Sequence, residues 1–301
     1  MLQSKDLYPS RQGREEAQLP RWDPVVYSNT DAPTGPLSSQ QLRDYERDGF
    51  LILPDFLNHH VEPILRDIPR LKQALRGREE LVLEPDSDEL RTIFNPVGFS
   101  EAVASCFRDD KVLDIVEQLL GSAVYHMQSR INIKPPLKGR AFNWHSDFET
   151  WHVEDGMPRM RALTAWIMLT DNHQHNGPLY VIPGSHQDYI SCSGLTEADN
   201  YKTSLRQQTL GVPGTEIMKS VLQDRDIRPI TGRPGTLVIH ECNLLHASPD
   251  NLSGDARSIA MCVYNSVENV PQAPFSGLAP RPEFLSAREV RPLRPASPKA
   301  S

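Results

Sequence analysis

The chain has few cysteines and no long apolar run. Its four cysteines form no C-x-x-C pair, so neither a zinc knuckle nor a dense disulfide framework is predicted. No segment approaches the roughly 18 apolar residues of a membrane-spanning helix, and the N-terminus has no apolar stretch like that of a secretory signal. We therefore expect reduced thiols and a cytoplasmic protein without a membrane partner.

Positive charge is also in short supply. Lysine and arginine number 32 against 39 acidic residues, and the formal net charge is -7. The basic residues are scattered and form no clustered stripe of the kind that binds a phosphate backbone. Nucleic acid is therefore not expected as a partner, and a small-molecule substrate is favoured. A hydrophobic content of 38% fits an ordinary folded protein.

The sequence pattern changes near residue 122. Before that point we predict helices near residues 39–47, 60–76 and 111–120, with Ser38 or Ser39 as the first N-cap. After it, short apolar segments are typical of strands near residues 122–134, 161–170, 178–182, 235–240 and 257–266. Early helices and late short strands indicate an α+β fold, with a jelly-roll (double-stranded β-helix) core supported by outer helices.

Three parts of the chain are distinguished by composition. Residues 1–36 are polar and contain five prolines, which predicts an extended arm over the domain, with simple disorder as the alternative. Residues 37–285 are predicted to form one jelly-roll domain. Residues 286–301 are predicted to be a loose C-terminal tail.

The most informative motif is His145-x-Asp147. In an extended strand this spacing places both side chains on one face of a sheet, where they can reach the same metal. His246, which follows a predicted apolar strand, supplies a third ligand. Two histidines and one carboxylate leave coordination positions open, which is typical of iron(II) oxygenases, whereas zinc is the weaker assignment.

A second pair, His186-x-Asp188, has the same spacing. It follows the turn at Pro183-Gly184-Ser185, where the two side chains need not face the same way. A histidine and an aspartate at this spacing are usually surface polar residues. We therefore favour the pair at 145 and 147 as metal ligands.

An oxygenase that uses 2-oxoglutarate also needs a cation for the distal carboxylate. Arg257 is the candidate, since it lies at the start of a predicted strand eleven residues beyond His246. The hydroxyl of Ser258 could add a hydrogen bond, and Lys134 is a second possible cation. The alternative for Arg257 is a solvated arginine at a strand edge.

Residues 142–163 closely resemble the signature stretch of the ectoine hydroxylases, which belong to the phytanoyl-CoA dioxygenase-like oxygenases. The resemblance covers most of the chain, with further matching segments at residues 6–11, 128–132, 183–186 and 264–269. It implies a jelly-roll core, iron(II), 2-oxoglutarate and O2, and conversion of the compatible solute ectoine to 5-hydroxyectoine. It also makes a homodimer an expectation.

The resemblance implies roles for individual residues. The three metal ligands would hold iron, and Lys134 and Arg257 would hold 2-oxoglutarate. Gln128 and Trp151 would contact ectoine, with Arg281 as a further candidate for its carboxylate. An aromatic face suits the delocalised amidinium cation of ectoine, although core packing is the alternative for Trp151.

Eight other polar residues carry weaker signals. Four of them follow the ligands and are interpreted either as groups that orient the ligands or as a solvated loop: Glu149, His152, Glu154 and Asp155. Four histidines have no partner at ligand spacing and are interpreted as structural or exposed: His126, His173, His175 and His240.

Two other functions stay open. A hydroxylase of the same family could act on another small amino acid such as proline, which an assay of succinate release with each substrate would distinguish. A metal-binding jelly-roll module without catalysis would instead sense a ligand, and it predicts no turnover with iron, 2-oxoglutarate and ectoine.

Overall fold

The computed structural model describes residues 6–85, 87–205 and 208–294. The elements of its N-terminal half are β1 (Ala17–Pro20), α1 (Ser39–Asp48), β2 (Phe50–Leu53), α2 (Asn58–Ala74), β3 (Leu81–Leu83), β4 (Leu90–Phe94), α3 (Glu101–Phe107), α4 (Asp110–Leu120) and β5 (Val124–Lys134). Those of its C-terminal half are β6 (Phe142–His145), α5 (Asp147–Asp155), β7 (Ala162–Met168), β8 (Leu179–Val181), β9 (Asp188–Ser191), α6 (Tyr201–Ser204), α7 (Thr215–Leu222), β10 (Arg228–Ile230), β11 (Leu237–Glu241), β12 (His246–Ser248) and β13 (Arg257–Ser266).

Two antiparallel sheets form the core. The larger has seven strands in the order β2-β11-β7-β13-β5-β4-β3, and the smaller has four in the order β10-β8-β12-β6. A separate two-stranded ribbon pairs β1 with β9. Early helices and a later double sheet are the arrangement expected from the sequence, and the predicted α+β class with a jelly-roll core is confirmed.

Local sequence signals explain where the early helices begin and end. Ser38 caps α1 by accepting a hydrogen bond from the backbone of Gln41, and Gly49 ends the helix with φ 82°. Asp109 caps α4, which ends at Gly121 with φ 61°. Both glycines adopt the left-handed conformation that side-chain-bearing residues disfavour.

The large sheet is covered on one face by helices and on the other by the small sheet. Along β7 the side chains alternate, so Ala165 and Ile167 join the cluster that includes the helices, whereas Trp166 and Met168 face the small sheet. Strand β13 alternates in the same way. The space between the two sheets is therefore lined by every second residue of these strands.

Both chain ends lie against the domain over the residues that are described. The N-terminal segment pairs through β1, and the side chain of Tyr8 is fully buried. Residues 286–294 depart from the loose tail expected from the sequence, since the Ala287 backbone N–H donates to Met127 O at 2.8 Å and that of Leu293 donates to Val124 O at 2.9 Å. Residues 1–5 and 295–301 of the predicted arm and tail lie outside the described residues.

All four cysteines are buried and form no disulfide in the described structure. Within the described ranges, no helix combines the length and the apolar character needed to cross a bilayer.

Candidate metal centre

His145 and His246 face each other on neighbouring strands. They are register partners in the β6–β12 pair, and their ring centroids lie 4.2 Å apart. The Nδ1 atom of His145 lies 2.8 Å from Asn143 O, and that of His246 lies 2.9 Å from Leu244 O. Because a carbonyl oxygen only accepts, each Nδ1 carries the hydrogen and donates it. Each Nε2 therefore keeps its lone pair available for a metal.

Asp147 is the first residue of helix α5. The expectation that His145-x-Asp147 lies in one strand is wrong, because the strand ends at His145 and Ser146 caps the helix by accepting a hydrogen bond from Glu149 N. The turn into the helix nevertheless brings the carboxylate to the histidines. Asp147 Oδ1 lies 3.7 Å from His145 Nε2 and 3.9 Å from His246 Nε2.

The electrostatics of Asp147 and His246 suit the binding of a divalent cation. Burial and the neighbouring His145 hold the pKa of His246 well below its usual value, so its ring is neutral. Burial acts to raise the pKa of Asp147, but His246 and His145 outweigh it and hold the pKa well below the usual range. Asp147 Oδ2 is buried without a hydrogen-bond partner in the part of the chain that is described. One carboxylate and two imidazoles are the ligand set that suits iron(II).

The alternative pair at His186 and Asp188 is not part of this centre. His186 is buried, and its Nε2 lies 3.0 Å from Glu46 O, while Asp188 begins β9 and accepts a hydrogen bond from Gln18. Among the described residues, two groups of three side chains could hold a metal, the centre above and a more exposed group at His59, His60 and Asp109.

The centre opens into a cavity between the sheets. Five of the predicted co-substrate and substrate residues line it: Gln128, Lys134, Trp151, Arg257 and Arg281. Ser258 does not, because successive residues of β13 point to opposite faces and Arg257 occupies the cavity face. The Ser258 hydroxyl therefore does not face the cavity, contrary to the prediction that it contacts 2-oxoglutarate.

Lys134 and Arg257 form a pair of adjacent buried basic side chains at one end of this cavity. They are register partners in the β5–β13 pair. Lys134 Nζ donates to Pro249 O, and Arg257 Nε donates to Gly177 O at 3.1 Å. Neither forms an ion pair with a described carboxylate. Burial lowers the pKa of Lys134 to about 6, helped by Arg257, and burial also lowers the pKa of Arg257 to about 10. A buried guanidinium without a counter-ion is costly, so this end of the cavity favours a carboxylate, which would also favour the charged form of Lys134.

The residues expected to contact the substrate lie elsewhere on the cavity wall. Gln128 Nε2 donates to Leu285 O at 2.7 Å, which leaves the side-chain oxygen free to accept. Arg281 binds Asp155 through two parallel hydrogen bonds of 2.9 and 2.5 Å, made by Nε and Nη2. Its remaining nitrogen, Nη1, has no partner within the described chain. Trp151 is buried on α5 and packs in an apolar cluster as well as lining the cavity.

Arg130, Asn132 and His240 are among the cavity residues that the sequence did not predict. Arg130 and Asn132 lie on β5 between Gln128 and Lys134, so strand alternation alone could have placed them on the cavity face. Arg130 Nη2 lies 3.9 Å from Asp147 Oδ1. His240, which was interpreted as structural or exposed, lines the cavity with its Nε2 atom 3.6 Å from Asp147 Oδ2. Its position depends on strand register, for which the sequence holds no signal.

The polar residues that follow the ligands form a buried helix rather than a solvated loop. Glu149 and Glu154 both bind Arg11 of the N-terminal segment. The contacts of Arg11 with Glu149 are bidentate, with distances of 2.8 and 2.5 Å. His152 Nε2 lies 2.9 Å from Asp6 Oδ1. The N-terminal segment therefore holds the helix that begins with Asp147.

Comparison with known proteins agrees with this geometry. Residues 45–259 match the family model described as phytanoyl-CoA dioxygenase (PhyH). The chain is 44% identical over 292 residues to the ectoine dioxygenase of Streptomyces avermitilis, covering 96% of this chain and 98% of that protein. It is 44% identical over 297 residues to the ectoine dioxygenase of Bordetella bronchiseptica, covering 96% of each.

Solved structures show the same likeness. The crystal structure of EctD from S. alaskensis with 2-oxoglutarate and 5-hydroxyectoine has a TM-score of 0.84 and 41% identity, over 94% of this chain and 95% of that chain. The structure of the same protein with bound Fe has a TM-score of 0.85 and 40% identity, over 96% and 98%. The chain therefore belongs to the phytanoyl-CoA dioxygenase family and, within it, to the ectoine dioxygenases.

Proposed function

We propose that the chain is an iron(II)- and 2-oxoglutarate-dependent dioxygenase that hydroxylates ectoine to 5-hydroxyectoine. The observation that carries this proposal is the His145, Asp147 and His246 centre beside a pair of buried basic side chains, in a chain 44% identical to ectoine dioxygenases. The reaction balances with 2-oxoglutarate and O2 as co-substrates. One oxygen atom enters ectoine, the other enters succinate, and carbon dioxide leaves.

The protein's part in this reaction is to hold the reactants in position. Bound iron(II) supplies the activation of oxygen, which amino-acid side chains cannot provide. Lys134 and Arg257 would bind the distal carboxylate of 2-oxoglutarate, and the guanidinium offers it a two-point match. The keto acid end would then face the metal ligands. Because this end of the cavity is buried, water would be excluded from the carboxylate pairing.

Ectoine would lie against the opposite part of the wall. The ring face of Trp151 suits the amidinium cation. The free oxygen of Gln128 can accept from a ring N–H, and Nη1 of Arg281 can donate to the carboxylate. These contacts would hold the reacting ring carbon near the metal while leaving it free of side-chain contacts. A homodimer, a cytoplasmic location and the absence of nucleic-acid or membrane partners remain predictions from the sequence.

Labelled oxygen tests the proposal directly. We expect purified protein with iron(II), ascorbate, 2-oxoglutarate and ¹⁸O₂ to place one labelled atom in ectoine and one in succinate, as measured by mass spectrometry. Parallel assays with proline should give a kcat/KM lower by about 100-fold or more, because groups that match ectoine would be left unpaired.

Two variants serve as controls for this assay. His145→Ala should lose metal binding and product, whereas His175→Ala, at an exposed histidine outside the cavity, should behave like the wild type. A preference for proline would overturn the substrate assignment. Iron-loaded protein that gives no oxygenated product with either compound would instead indicate a binding module without catalysis.

A further inference from the structure

Two buried polar atoms face each other at the edge of the metal centre. Asp147 Oδ2 and His240 Nε2 lie 3.6 Å apart, and neither has a hydrogen-bond partner among the described residues. Both side chains are almost fully buried. Unpaired polar atoms are rare in protein interiors. Two of them facing each other indicate a hydrogen bond that forms when the metal is bound.

The far side of the His240 ring fixes its tautomer. Trp166 Nε1 donates a hydrogen bond of 3.2 Å to His240 Nδ1. An indole N–H can only donate, so Nδ1 must be the unprotonated nitrogen and a neutral ring carries its hydrogen on Nε2. The hydrogen on Nε2 is therefore directed to the carboxylate.

The register between β7 and β11 places Trp166 and His240 side by side. Trp166 on β7 pairs with Val238 on β11, and His240 is two residues further along β11. The indole and the imidazole are thus diagonal neighbours on the same face of the large sheet. Both residues lie on inner strands of the seven-stranded sheet, each paired on both sides, which leaves their backbones little freedom to move. The Trp166 to His240 hydrogen bond is therefore part of the scaffold, and Asp147 on α5 is the element that can adjust.

The two oxygens of Asp147 have different surroundings. Oδ1 lies 3.7 and 3.9 Å from the Nε2 atoms of the two ligand histidines, whereas Oδ2 faces His240. We propose that His240 is a positioning residue that donates from Nε2 to Asp147 Oδ2, so that Asp147 coordinates through Oδ1 alone. Binding through one oxygen leaves a further coordination position for 2-oxoglutarate or oxygen. The inference rests on the proposed metal site and adds the residue that orients its carboxylate.

Metal affinity tests this role without any turnover. Metal-free protein is titrated with Co²⁺, and the visible absorption of the bound ion reports both affinity and coordination geometry. His240→Leu should weaken binding by about 10-fold, the scale typical of groups that orient a ligand, and should alter the spectrum. His240→Gln, which keeps an N–H donor near the place of Nε2, should restore most of the affinity.

Matched variants separate orientation from general destabilisation. His126 is a half-buried histidine of β5 that donates from Nε2 to Phe107 O, and it lies outside the cavity. His126→Leu should lower the thermal midpoint without changing Co²⁺ affinity. If His240→Leu does not fold, Trp166→Phe tests the same pair, because loss of the indole N–H frees the ring hydrogen to move to Nδ1 and should weaken Co²⁺ binding.

The possible results distinguish this inference from the proposed function. If the wild type binds no Co²⁺ at a site that His145→Ala removes, the metal centre itself is wrong. If the wild type binds and folded His240→Leu binds equally well with the same spectrum, the positioning role is overturned. Equal weakening in His240→Leu and His240→Gln would also overturn it, since ring packing and not the donated hydrogen bond would then be responsible.

Discussion

A buried lysine decides how the co-substrate end of the cavity responds to pH. Burial, reinforced by Arg257, lowers the pKa of Lys134 to about 6, whereas a lysine in water titrates near 10. Between about pH 7 and 9 the ligand-free amine is therefore mostly neutral. A bound carboxylate stabilises the ammonium form and raises its pKa again. We expect 2-oxoglutarate binding in this range to take up nearly one proton per site.

Calorimetry of the iron(II)-loaded protein without oxygen measures this uptake when it is repeated in buffers of different ionisation enthalpy. Lys134→Met should abolish the uptake and weaken 2-oxoglutarate binding by about 2 kcal/mol, the scale of a hydrogen bond to a charged group. Arg140→Met, at an exposed cation on the same cavity, should keep the uptake. Wild-type binding that takes up no proton would show that Lys134 is already charged or does not meet the ligand.

Single residues of the site differed in how far the sequence could predict them. Residue types and their spacing were enough to propose the three metal ligands. In the structure, His246 lies beside His145 because β12 pairs with β6. Alternation along β5 contained enough information for Arg130 as well, although it was not used. His240 was beyond reach because its contact with Asp147 depends on how helix α5 packs against strand β11, for which the sequence holds no local signal. Ser258 was misplaced because its neighbour Arg257 already occupied the cavity face.

At the scale of elements, α5 is where the prediction failed. Its residues are buried on all sides, so it lacks the apolar stripe by which a surface helix is recognised. The sequence did hold a helix signal, since Ser146 and Glu149 have the S-x-x-E spacing of a capping box. Gly156 ends the helix with φ 80°, and a Cβ there would lie 2.2 Å from Gln272 O. The helix is therefore defined at both ends by local chemistry.

Arg11 is predicted to hold α5, and with it the metal ligand, in place. Removing its guanidinium leaves Glu149 and Glu154 as buried charges without their partner. We expect Arg11→Met to lower the free energy of unfolding by about 3–5 kcal/mol, the usual cost of breaking a buried ion pair. Because Asp147 begins the same helix, Co²⁺ affinity should fall as well. Chemical denaturation and metal titration measure the two effects.

Two further variants bracket that result. Arg11→Lys keeps the charge but loses the bidentate geometry, so its stability should fall between those of the wild type and Arg11→Met. Arg14→Met changes an exposed arginine of the same segment and should have little effect. If Arg11→Met were as stable as the wild type, the arm would not support α5 through this contact.

At the scale of the whole molecule, the order of the elements was predictable but the role of the arm was not. Early amphipathic helices and late apolar strands follow from periodicity, which local sequence encodes directly. The polar residues of the arm carry no such periodicity. Their structure depends on acidic partners more than a hundred residues away, as in the contact between Arg11 and Glu149. Ion pairs of this kind cannot be read from either segment alone.

Acid should therefore loosen the attachment of the arm to the domain. Burial acts to raise the pKa values of Asp23, Glu149 and Glu241, but their ion pairs with arginines outweigh it and hold all three below the usual range. Each of these pairs joins the arm to the domain. A carboxyl whose folded pKa is depressed contributes stability above its unfolded pKa of about 4, and that stability is lost as pH falls through the folded pKa.

We expect the free energy of unfolding to fall steeply below about pH 5, by up to about 1.4 kcal/mol per pH unit for each of the three carboxyls. Asp155 opposes this trend, because burial raises its pKa in the folded state. It is a single carboxyl, whereas three carboxyls act in the other direction. Urea unfolding between pH 7 and pH 3.5, at about half-unit steps, measures the slope. The double variant Arg11→Met/Glu149→Met removes one pair and should flatten the slope by about one proton. A stability that stays constant over this range would mean that the arm is held by apolar contacts such as those of Tyr8, and not by its ion pairs.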